Sequence, residues 1–148
     1  VEAIFILAVV VIVGAVAIPR MSRGDSGAAG SALVGDLALL RNAISLYASE
    51  HGGLFPQAHA FEEQLTRFTD ARGESSSVKT STHTFGPYLR RIPPLPVGSN
   101  KGQTKVVDAA TGIQGIGGGW YYESATGRIN ANLIDAETDR TGRSYNAY

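Results

Sequence analysis

The chain has 148 residues, 13 Lys plus Arg against 13 Asp plus Glu, and no Cys. That length suits one domain and excludes a large multi-domain enzyme; zero net charge removes the bulk electrostatic reason to bind nucleic acid. The missing Cys excludes disulfide staples and thiolate metal sites. The charge is unevenly placed, however. Residues 3–18 carry no charged or strongly polar side chain, and setting Glu2 aside leaves 13 positive and 12 negative groups, all from Arg20 onward.

The apolar run 3–18 is sixteen residues long, about 24 Å as a helix at ~1.5 Å per residue. A signal-peptide core is the first rival reading, but no basic residue precedes the run. A helix apolar on every side needs either lipid or a larger body of protein around it, so the run predicts membrane insertion or burial in a helical bundle. Glu2 at its edge is costly in an apolar setting unless it reaches the interface or meets a cation, for which the N-terminal ammonium of another chain is the natural partner. Pro19 closes the run; its ring opposes the carbonyl of Ala15, and Gly14 adds backbone freedom beyond that point. The stretch 14–19 is therefore the part of the helix most able to unwind.

Glu2, an unbroken apolar run and Pro19 seventeen residues after the glutamate resemble the N-terminal helix of type IV pilins and type II secretion pseudopilins. In that family a prepilin peptidase removes a leader, and the new N-terminus is methylated. The glutamate normally follows four residues of the mature chain, whereas only Val1 precedes it here, so about three residues are expected ahead of this sequence. The resemblance implies a subunit stored in the bacterial inner membrane, then packed helix-inward into an extracellular or periplasmic filament. It assigns assembly roles to Glu2, Gly14 and Pro19. The partners it implies are copies of the chain, an inner-membrane platform and an assembly ATPase. Arg20 and Arg23 flank the run on its C-terminal side and by themselves argue for that side facing the cytoplasm; the family places the globular part outside.

Residues 31–51 place Leu33, Leu37, Leu40, Ile44 and Tyr47 at steps of four and three, one face of an amphipathic helix that Gly52-Gly53 stops. Gly24, Gly27 and Gly30 predict a loose or interrupted stretch before it. The apolar segment 1–19 and a head comprising 20–148 thus share one long N-terminal helix. A short second helix is predicted over 61–68, and a loop over 72–84. Seven hydroxyls crowd that loop: Ser75, Ser76, Ser77, Thr80, Ser81, Thr82 and Thr84. A solvated surface loop is its plain reading, and an O-glycosylated or adhesive patch the functional one. The proline-rich segment 86–96 cannot be a central strand and is expected to lie extended, with Tyr88, Leu89 and Ile92 inward. Strands are predicted over 104–108, 120–124 and 128–133, the last two joined by a tight turn at 125–127. The fold class is α+β: a long helix, apolar then amphipathic, packed on a small antiparallel sheet with a short second helix and long loops.

Gly86-Pro87-Tyr88-Leu89 with Ile92-Pro93, then Gly119-Trp120-Tyr121-Tyr122 and Thr126-Gly127, are similar to the major-pseudopilin branch. The chain departs from that branch in having Pro94-Leu95-Pro96-Val97-Gly98 where an Asp-Pro-Trp-Gly turn is usual. The C-terminal disulfide loop of many type IV pilins is also missing.

His51, His59 and His83 fall at turn or loop positions without ligand-like spacing and read as surface residues. The glycine-rich run 112–119 leads into a strand, unlike a phosphate-cradling loop, and reads as a flexible loop. Neither a Gly-x-Ser-x-Gly elbow nor a Ser-His-Asp set can be assembled, so no enzyme is expected. Asp135, Glu137 and Asp139 alternate along a loop and are a candidate Ca²⁺ set, against the plainer reading of an acidic-basic surface tail with Arg140. Segment 140–148 has no periodicity and is expected to fray or dock on a neighbour. A structural subunit polymerising into a type IV pilus-like filament is the expected function. A periplasmic pseudopilus of a type II secretion system and a monomeric membrane-anchored binding module are the alternatives.

Overall fold

Helix α1 runs from 27 to 50 in the computed structural model, which describes residues 27–148. The apolar run 3–18, with Glu2, Gly14 and Pro19, lies outside the described residues, as do Arg20, Arg23 and Gly24. Gly27 and Gly30 each cost a helix about 1 kcal/mol relative to Ala, yet both are helical, so the interruption expected there is not found at these two glycines. What holds the helix is packing: Leu33, Leu37, Leu40, Ile44 and Tyr47 are at most 3% exposed, on one stripe, as their spacing predicts. Gly52 and Gly53 take positive φ, 65° and 88°, and the Gly53 amide donates back to Ala48 O at 2.8 Å. That left-handed turn ends α1 where the sequence predicts.

A 3-10 turn, Ala58–Ala60, leads into α2, Phe61–Thr66, which buries Phe61, Gln64 and Leu65. The second helix stops two residues short of its expected end because Arg67 is extended and Phe68–Thr69 forms β1. β1 pairs antiparallel with β2, Ser75–Ser76, and Thr69 also bridges to Phe85. The hydroxyl-rich loop therefore begins as a strand of a small ribbon. Beyond it, Leu89, Ile92 and Leu95 of the extended segment point into the core, and Tyr88 packs against it.

The main sheet contains β3, Val106–Asp108, β4, Trp120–Glu123, and β5, Arg128–Ala131, in the order β3-β4-β5. β4 and β5 form the expected antiparallel hairpin, Glu123 opposite Arg128, and Gly127 takes φ 70° in its turn. β3, however, lies parallel to β4, with Val106 opposite Trp120, so the antiparallel expectation fails for this strand. A parallel pair needs a crossover of about a dozen residues, and the glycine-rich segment 109–119 is that crossover. It is packed, not loose: a Cβ at Gly112 would strike the Val107 side chain, and one at Gly118 or Gly119 would strike the carbonyls of Lys105 or Gln103. Glycine is needed there for close approach.

The α1 stripe lies against the inner face of this sheet in one core that includes Trp120, Tyr122, Ile129, Ala131 and Leu133. Both sheet edges are sheltered. The Ala58–Ala60 turn packs beside β3, and a second 3-10 turn, Tyr145–Ala147, packs beside β5. Covered edges leave little backbone to recruit a stray strand.

Candidate functional site

A surface helix ordinarily shows charge on the side turned to water. α1 does not. Its three charged residues between 27 and 50 are Asp36, Arg41 and Glu50. Asp36 is half-buried, and burial raises its carboxyl above the ordinary range. Arg41 reaches over the head, donating through Nη2 to Tyr148 O at 2.9 Å and Ile129 O at 3.2 Å. The Glu50 carboxylate accepts the Tyr88 hydroxyl at 2.6 Å. Burial, followed by that bond to Glu50, pushes the Tyr88 phenol well above its usual range.

With its charges drawn to the margins, the outward strip of α1 is neutral along its length. Ser31, Gly35, Ala38 and Asn42 are exposed on it, and Leu39 and Leu46, at 48% and 51% exposure, stand on the same side. Val34, 51% exposed, borders the strip. At ~1.5 Å per residue the 24-residue helix presents this strip for about 36 Å. Covering it with another helix strands no ionised group, and Gly35 and Ala38 allow a close approach. The strip's chemistry is that of a packing surface.

The three carboxylates of the C-terminal loop are engaged separately. Glu137 accepts the Ser99 amide at 2.6 Å through Oε1, and the Ser99 hydroxyl at 3.2 Å through Oε2. Asp135 Oδ1 accepts from Asn146 at 2.7 Å. Asp139 Oδ1 takes the Thr141 amide and hydroxyl, both at 2.7 Å, while its other oxygen accepts the Tyr148 hydroxyl. The Tyr148 and Thr141 hydroxyls hold the Asp139 carboxyl well below the usual range. Among the described residues no three His, Asp or Glu side chains gather as a metal set. Segment 140–148, expected to fray or dock on a neighbour, folds back on its own head. Arg41 holds Tyr148, and the Arg143 guanidinium lies 4.0 Å over the Tyr148 ring.

The hydroxyl cluster divides. Ser75 and Ser76 are half-buried in β2, while Ser77, Thr80, Ser81, Thr82 and Thr84 are exposed. His51, read as a surface residue from its place beside two glycines, is 4% exposed, because the turn after β1 closes over it. Asn132 carries no signal in the sequence, since it falls between the inward-facing Ala131 and Leu133, where the alternation of β5 points to an outward side chain. It is fully buried, donates to Ile116 O and Gly118 O at 3.0 and 2.8 Å, and accepts the Gly115 amide at 2.7 Å. Those three bonds fasten the crossover to the sheet.

Among the described residues, no helix is long and apolar enough to cross a membrane. Comparisons with protein-family models, with curated proteins and with solved structures found no match.

Proposed function

We propose that the chain is a structural subunit that polymerises through its N-terminal helix into a helical, type IV pilus-like extracellular filament. The observation that supports this reading most is the neutral outer strip of α1, which follows in sequence on the apolar run 3–18 and its lone Glu2. A helix face without charge can be covered by copies of itself without desolvating an ionised group on that face. Leaving lipid for a filament core yields little hydrophobic gain, since both are apolar, so close packing and pairing of Glu2 supply the preference. Gly14 and Pro19 give the rod a segment that can lengthen during transfer. Before assembly the subunit waits in the inner membrane, and its helpers are a prepilin peptidase, a membrane platform and an assembly ATPase, as the resemblance implies.

A short periplasmic pseudopilus is the second reading. It is favoured by the Gly86-Pro87-Tyr88-Leu89 and Trp120-Tyr121-Tyr122 motifs. Replacing Leu39 and Leu46 together by Lys tests the packing role of the strip. Filaments should be lost from cells while the head keeps its near-ultraviolet circular dichroism; undiminished filament yield would sink the proposal.

A further inference from the structure

His51 follows the last turn of α1, and its ring is buried. Nδ1 stands 2.8 Å from Tyr47 O, and Nε2 stands 2.9 Å from Asp70 O. Both oxygens are backbone carbonyls, which accept and never donate. A neutral imidazole has one N–H and one lone pair, so it bonds one of them and turns a lone pair on the other. Nε2 has a third neighbour, Thr69 Oγ1 at 3.1 Å, whose hydroxyl rotates to donate or accept. That hydroxyl makes one neutral form workable: the proton on Nδ1, donated to Tyr47 O, and Nε2 accepting from Thr69. The opposite neutral form aims the Nδ1 lone pair at Tyr47 O with no hydroxyl to relieve it. The doubly protonated ring serves both carbonyls at once.

Two further features surround the ring. It sits at the C-terminal end of α1, where the helix dipole attracts cations. It stacks on Tyr47, centroids 3.8 Å apart and planes within 7°. On α1 the facing groups are Tyr47 and Glu50; on the turn after β1, Asp70; on the extended segment, Tyr88, whose hydroxyl is committed to Glu50. The Asp70 carboxylate is bonded to the amides of Arg72 and Glu74 within its own turn.

We propose that His51 is a pH-operated tie between α1 and the β1–β2 ribbon. In acid the ring donates from both nitrogens and clamps the end of α1 to the Asp70 carbonyl. In alkali it gives up the Asp70 bond and takes the Thr69 hydroxyl instead. With both nitrogens protonated the ring ties α1 to the ribbon through one more carbonyl than the neutral ring does.

Long-range ¹⁵N–¹H NMR of the full chain in detergent micelles tests this. In alkali the ring proton should reside on Nδ1 alone. In acid both nitrogens should be protonated with the ring still buried, and the Ala71 amide, next to the Asp70 carbonyl, should shift in step. Thr69→Val removes the hydroxyl that supports the neutral ring. Its folding equilibrium constant should fall roughly ten-fold further at about pH 8.5 than at about pH 5. A proton on Nε2 in alkali, a ring that stays singly protonated in acid until the chain unfolds, or an equal Thr69→Val penalty at both pH values overturns the proposal. If Thr69→Val does not fold, the ring of the unaltered chain decides the matter.

Discussion

The Tyr122 hydroxyl donates to the carbonyl of Pro56 at 2.8 Å, joining β4 to the turn between α1 and α2. The Tyr122 ring is fully buried and meets Phe61 edge-on at 4.6 Å. Tyr122→Phe keeps the ring contacts and leaves the Pro56 carbonyl unpaired, so stability should drop by about 1–3 kcal/mol in urea titration. Burial also pushes the Tyr122 phenol above its usual range, and it does the same for Tyr47 and Tyr88. A phenol kept neutral by the fold leaves stability intact below its unfolded titration, near pH ~10, and erodes it as pH climbs further. The head should therefore unfold in alkali, and Tyr122→Phe should flatten that pH dependence.

Asp139 organises the C-terminal turn through Thr141, Arg143 and Tyr148. Its titration is depressed in the fold, so what it contributes is present above the ordinary carboxylate range and is lost as pH falls through the lower, folded value. Asp139→Ala should release segment 140–148 at neutral pH. Hydrogen exchange there should rise while the β4–β5 amides stay protected; unchanged exchange in the tail would contradict the assignment.

Asn132→Leu should be among the more damaging substitutions in the head. It strands two carbonyls and one amide of the crossover, at about 1–3 kcal/mol for each buried group left unpaired. Limited proteolysis should show cleavage within 109–119 that exceeds that of the unaltered protein under the same conditions.

Much of this architecture can be read in the chain because its periodicities are clean. Leu33 to Tyr47 repeats at helical spacing and is buried as that spacing requires, and the prolines of 86–96 forbid the alternatives to an extended segment. The direction of β3 was not legible. Whether a strand runs parallel or antiparallel depends on the route of its connection, and a run of glycines shows freedom without showing a path. His51 was misread for a similar reason. Its neighbours Gly52 and Gly53 mark a turn, but the segment that buries it, around Asp70, is nineteen residues away. Asp135, Glu137 and Asp139 alternate in a way that permits convergence, yet each is engaged by a different partner, Asn146, Ser99 and Thr141 in turn. The neutral outer strip of α1 is visible in the sequence only once the core-facing stripe has been fixed.

The central claim is that the chain polymerises through its N-terminal helix, with Glu2 as the charge that selects a neighbouring subunit. Electron microscopy of cells producing the full chain or its Glu2→Gln variant, with circular dichroism of the purified full-length variant, tests this most directly. The account predicts helical fibres from the unaltered chain and few or none from the variant, whose head remains folded. Dispersed single subunits from the unaltered chain, or undiminished fibres from Glu2→Gln, would contradict it.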